Sequence, residues 1–158
     1  MSLFTFLVSD CPLEEVDYSG ITEITVRELK KLYPISDKTP VQSWHSMDDD
    51  TRILHAPDAS AFGELVISFC NNLPYDLAFY TEKEYAYSLD GNWKGKFLTD
   101  FVDYIKTHIK ASENVQLLIF WAGDGEQKLI EREISIEEIQ PNHLEQFKRK
   151  KNIRIQFV

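Results

Sequence analysis

An α+β fold is predicted: one domain over residues 1–158, with a mixed or mostly antiparallel sheet of about six to seven strands and about three helices. Three observations carry this expectation. Short runs rich in aromatic and β-branched residues recur without one helix for each strand, one segment has a clear 3.6-residue period, and two stretches bear helix-start signatures. Strict strand-helix alternation would instead have indicated a parallel sheet.

The first strand is LFTFLVS (Leu3–Ser9), ended by Asp10, Cys11 and Pro12. ITEITVRELKKLYP then passes from alternation to helical spacing. Thr25 and Glu28 have the spacing of a capping box, in which the hydroxyl takes a backbone N–H of the first turn and the carboxylate reaches back to the cap. Pro34 stops the run, so a short helix is expected from Val26 to Tyr33. Residues 34–62 show no period and hold Pro34, Pro40 and Pro57. They read as one long loop, and unstructured connections beyond about 15 residues are usually functional.

Three strands are expected next: GELVISFC (Gly63–Cys70), DLAFYT (Asp76–Thr81) and EYAYSL (Glu84–Leu89), the last two close enough to form a hairpin. Asp90, Gly91 and Asn92 punctuate. Phe97, Leu98, Phe101, Val102, Ile105 and Ile109 then recur at helical spacing with charges opposite, so one face of this helix must bury against a sheet. VQLLIFW (Val115–Trp121), the turn AGDGEQ and the alternating KLIEREI (Lys128–Ile134) read as a second hairpin. Ser135 and Glu138 repeat the capping-box spacing, Pro141 suits the first position of a last helix, and IRIQFV (Ile153–Val158) closes the series. EITVREL (Glu23–Leu29) and EISIEEI (Glu133–Ile139) align without gaps, which shared strand-to-helix grammar explains as well as duplication does.

A chain of 158 residues buries enough surface to need no disulfide or metal staple, and no cofactor is expected. The longest apolar run, VQLLIFWA (Val115–Ala122), falls far short of the roughly 18 residues of a membrane span. The start of the chain lacks a basic leader, and Cys11 and Cys70 fit no ligand or redox spacing, so reduced thiols in a cytoplasmic protein are expected. Seventeen basic residues against 26 acidic ones leave a net charge of −9, all of it in residues 1–104. That balance repels nucleic acid and anionic membranes and attracts a basic protein. Five arginines against 12 lysines, with abundant Phe, Tyr and Ile, suit a bacterial chain from an AT-rich genome.

Two surfaces stand out for partner binding. In WHSMDDDTRILH, Trp44 and Met47 lie beside Asp48, Asp49 and Asp50, an aromatic anchor ringed by charge. In EYAYSL, Tyr85 and Tyr87 share one strand face among Glu82, Glu84 and Asp90. The first stretch also invites a metal reading through His45, Asp48 and His55, but adjacent aspartates diverge on regular backbone and the spacing matches no ligand frame.

Cys11 before Pro12 resembles a thiol at a helix start, yet Glu14 and Glu15 oppose a thiolate. The basic run from Lys148 to Arg154 suits the negative end of a helix dipole better than nucleic acid. No nucleophile-base pair stands out. A non-catalytic interaction protein is therefore expected, with the size and charge, and nothing more, of bacterial immunity proteins; the alternative is a small hydrolase using the 34–62 loop.

Overall fold

A computed structural model describes residues 2–147 and 151–158. In chain order its elements are β1 (Ser2–Ser9), β2 (Val16–Asp17), β3 (Thr22–Thr25), α1 (Val26–Leu32), β4 (Arg52–His55), β5 (Val66–Phe69), β6 (Tyr85–Asp90), α2 (Lys96–His108), β7 (Gln116–Ala122), β8 (Ile130–Ile134), α3 (Pro141–Glu145) and β9 (Ile153–Phe157). Short 3-10 turns lie between them, two of them at Ser43–Ser46 and Tyr75–Phe79. The class is α+β. Contacts divide the chain into two units, one made of the residues up to Tyr18 with Phe62–Val158, the other Ser19–Ala61.

The first unit is built on a seven-stranded mixed sheet in the order β2-β5-β6-β1-β7-β9-β8. Every neighbouring pair is antiparallel except β8 with β9. Strand periodicity divides the side chains between two faces. Leu7, Tyr87, Leu89, Leu117, Ile153, Ile155 and Phe157 join the apolar stripe of α2 in the main core. Phe6, Val8, Ala86, Leu118 and Phe120 face the other way and are covered by Leu77 and Tyr80. The Tyr80 and Phe120 rings lie 4.7 Å apart, and the Tyr80 hydroxyl accepts from the Gln127 N–H at 2.9 Å.

Two expected hairpins are not formed. Asp76–Thr81 is no strand: Pro74 starts a 3-10 turn over Tyr75–Phe79, and Leu77 and Tyr80, three apart, turn inward together. AGDGEQ does turn the chain, with Gly123 at φ 105° and Gly125 at φ 73°, but β8 does not return beside β7. The apolar β9 takes the interior place and the charged β8, with Glu131, Arg132 and Glu133 exposed, takes the edge. Ser135 accepts the Glu138 N–H at 3.4 Å in a turn, and the helix begins only at Pro141. The matched segments therefore differ in structure: Glu23–Leu29 runs from strand into helix, Glu133–Ile139 from strand into turn. Nor does a helix follow Cys11, which is exposed.

In the second unit β3 and β4 form a two-stranded antiparallel sheet with α1 after it. The supposed loop over 34–62 thus contains a strand, RILH, too short and too exposed on Arg52 and Leu54 to show a period. Among the described residues no helix is long and apolar enough to cross a membrane.

Candidate functional site

The acidic stretch is organised by the start of α1. Thr25 caps the helix and Glu28 closes the capping box, which holds the Glu28 carboxyl below its usual range, through the Thr25 backbone N–H first and the Thr25 hydroxyl second. The first turn then leans on the aspartates. The Val26 and Arg27 N–H groups donate to the Thr51 and Asp49 carbonyls at 2.9 Å each. Lys30 pairs with Asp49 at 2.6 Å and Arg27 with Asp50 at 3.1 Å. Asp49 is held below the usual carboxylate range, first by the hydrogen bond from Lys30 and then by its charge. Asp48 accepts from the Asp50 N–H at 3.1 Å and is exposed. Of the triplet it alone has no ion-pair partner among the described residues.

Trp44 is half-buried, its ring edge-on to His45 at 4.2 Å, and Met47 is exposed beside it. The residues of the metal reading are not brought together. His45 Nδ1 accepts from the Gln42 N–H at 3.3 Å, His55 Nε2 is bonded to the Tyr33 hydroxyl at 3.3 Å, and Asp48 serves its own turn. No group of three His, Cys, Asp or Glu side chains among the described residues could hold a metal ion. His143 repeats the His45 arrangement, its Nδ1 accepting from the Gln140 N–H at 3.1 Å. Both histidines sit three residues after a glutamine that begins a short helical turn, a cap legible in hindsight as Gln-x-x-His.

The tyrosine surface is corrected. Tyr85 and Tyr87 share a face as expected, but that face packs into the main core. Tyr87 is only 3% exposed, its hydroxyl accepts the buried Leu13 N–H at 2.9 Å, and half-buried Tyr85 packs against the same core. Alternation alone cannot choose between the faces of a strand, and the α2 side claimed the larger rings. The exposed aromatics lie on the neighbouring turn. Tyr75 is 83% exposed and Phe79 38%, in edge-to-face contact at 5.8 Å, with Leu73 exposed in the same segment. Leu77 and Tyr80, buried beneath, anchor them. Beside this turn an open groove of about 580 Å³ is lined by Asp10, Phe79, Glu82, Lys83, Gln116 and Arg154. Lys83 pairs with Asp10 at 3.0 Å and lowers its pKa, a shift that Asn114 reinforces. Arg154 donates to Glu131 at 2.9 Å and to the Tyr80 carbonyl. Of the basic run, residues 148–150 lie outside the described residues, and Lys151 stands 4.9 Å over the Trp121 ring.

A second concavity, of about 460 Å³, opens where β1 and β6 part. Their ladder runs from Ser9↔Tyr85 to Phe6↔Ser88 and stops, while β6 continues beside β5 as far as Val66↔Asp90. β6 parts from β1 after Ser88 and ends just before Gly91. At φ 131° Gly91 lies so close to Phe97 and the Glu64 carbonyl that a Cβ would meet them at 2.5 and 2.7 Å. Beyond that point Ser2–Thr5 pairs, among the described residues, with β7 alone. Trp93, Ile119 and Phe147 wall the cleft on the α2 side, and Cys70 and Asn72 on the other.

Compared with known proteins, the chain matches no family model, no curated sequence and no solved structure.

Proposed function

We propose that this chain is a non-catalytic interaction protein whose acidic, aromatic surface takes a basic protein partner, as an immunity protein does in general character. The observation that supports this most directly is the Tyr75–Phe79 turn. Two large rings stand in solvent on a base fixed by Leu77 and Tyr80, in a chain of net charge −9. Rings held in place before binding lose little conformational freedom on contact, and this is the composition of an interface hot spot. Exposed Glu82 beside the turn, with the net charge of −9, favours a cationic partner over nucleic acid. Free Cys11 and Cys70 suit a reducing, cytoplasmic setting. On the second unit, Trp44 with Asp48 is a separate surface of the same chemistry.

The test is capture of partners from the native host on immobilised wild-type chain and on a Tyr75→Ala/Phe79→Ala double variant, followed by binding kinetics with the purified partner. The expected partner is basic, associates faster at low salt, and dissociates at least about tenfold faster from the double variant. A partner of neutral or acidic charge, or wild-type kinetics for the double variant, overturns the proposal.

A further inference from the structure

We infer that the cleft between β1 and β6 accepts an extended peptide segment of a partner as an added strand on β1, with a basic residue at the segment's N-terminal end. This rests on the interaction reading only in taking the occupant to be protein. The place is vacated in the middle of a sheet rather than at its rim. β1 continues for Ser2–Thr5 along β7 after β6 has parted from it beyond Ser88. A strand hydrogen-bonds on both sides through alternate residues, so half the main-chain groups of this stretch face the cleft with no strand among the described residues opposite. Four residues extend about 13 Å, and the volume of about 460 Å³ falls within the range of roughly 300–1,000 Å³ typical of ligand clefts.

The register gives the occupant its pattern. Leu3 and Thr5 pair with Trp121 and Ile119, and Leu7 farther along belongs to the main core, so all three share the α2 face. Incoming residues opposite Leu3 and Thr5 therefore point toward Trp93, Ile119 and Phe147, and should be apolar. The residue between them, opposite Phe4, points toward Cys70 and Asn72, where a small or polar side chain fits. An antiparallel arrival on β1 continues the line of β6, which starts the N-terminal end of the segment where β6 leaves β1, between Ser88 and Asp90. The Asp90 carboxylate is exposed and makes no ion pair or side-chain hydrogen bond among the described residues, so a lysine or arginine there is matched. Main-chain pairing supplies affinity and the alternate walls supply selectivity, the physics of strand addition.

The probe is a synthetic six-residue peptide, acetylated and amidated, with lysine first and valine and threonine alternating after it. It is titrated into the purified chain, with binding followed by Trp93 fluorescence and by amide resonances of β1. Saturable binding is expected, with shifts at Leu3–Phe6 and unchanged affinity on the Tyr75→Ala variant, which separates this site from the aromatic turn. Two further peptides carry N-methyl groups on one or the other alternate set of residues. One of them should lose at least about tenfold in affinity and the other little, because only one set donates to β1. Asp90→Asn should weaken the lysine peptide about two- to fivefold and leave a norleucine-led peptide unchanged. Absence of saturable binding at millimolar peptide, or equal binding of both N-methylated peptides, overturns the inference; neither result bears on partner capture through Tyr75 and Phe79.

Discussion

Removing one oxygen atom separates the core position of Tyr87 from the surface position its sequence suggested. Tyr87→Phe keeps the ring, its edge-to-face contact with Phe69 at 5.5 Å and its place among the core side chains, so no sizeable cavity forms. What disappears is the acceptor for the Leu13 N–H, a buried bond of 2.9 Å spanning 74 residues. A buried donor left unpaired costs about 1–3 kcal/mol. For a chain of this size the loss corresponds to a fall of roughly 2–12 °C in Tm. With a urea slope of about 2 kcal/mol per molar, the midpoint should fall by roughly 0.5–1.5 M at unchanged slope. Amide exchange gives the local readout: the Leu13 N–H should lose protection in the variant. Tyr104→Phe is the matched comparison. Its hydroxyl donates to the Glu14 carbonyl at 2.7 Å, and Glu14 is exposed, so water replaces the lost donor at smaller cost. A Tyr87→Phe cost within about 0.5 kcal/mol, the range of surface substitutions, would falsify the placement of this ring and with it the assignment of the two strand faces.

Three other outcomes are expected. Phe101, fully buried with Trp93 and Phe97 at 5.9 and 6.0 Å, should cost about 3–5 kcal/mol when changed to alanine, measured by denaturant melts; under about 1 kcal/mol would mean that another face of α2 is buried. Burial pushes the Tyr104 phenol well above its ordinary value, so native Tyr104 stays neutral while the unfolded chain ionises. Stability should therefore be whole below about pH 10 and decline above it, and Tyr104→Phe should flatten that decline in a series of melts. On the second unit, Asp48→Asn should slow association with a basic partner and reduce its salt dependence more than Asp49→Asn, whose charge Lys30 already answers, whereas Trp44→Ala should speed dissociation. Equal effects of the two aspartates in stopped-flow kinetics would remove the distinction drawn from the ion pairs.

What could be read from the sequence was what local chemistry decides. Thr25 and Glu28 announce α1 because the cap is made within four residues, and α2 is visible because a long apolar stripe has only one period that buries it. Choices settled by distant parts of the chain were not legible. The tyrosines of β6 alternate correctly, yet only the presence of α2 on one side decides which face is inside. Tyr75–Phe79 has the composition of a strand, and Pro74 with the three-residue step from Leu77 to Tyr80 was the quieter sign of a turn. β4 was missed because it makes a two-stranded sheet with one side in solvent, where alternation has little to bury. The aspartate triplet looked like free charge because Arg27 and Lys30, which answer Asp50 and Asp49, lie on a helix some twenty residues earlier.

The position of β9 between β7 and β8 sets an order of events during synthesis. β8 leaves the ribosome before β9, the one strand it pairs with among the described residues, and the lag between Ile134 and Ile153 lasts roughly one to four seconds at ordinary elongation rates. Throughout that interval β7 also lacks its neighbour and presents an open row of main-chain groups beside Leu117, Leu118 and Ile119. The nearest chain that could fill the row wrongly is β8 itself, as the very hairpin its proximity suggests. Glu131, Arg132 and Glu133 make it a poor occupant of an interior lane, which Ile153, Ile155 and Phe157 fill without exposing apolar surface. The charges on this edge strand thus disfavour the local hairpin and suit the interior place to the more distant, apolar strand.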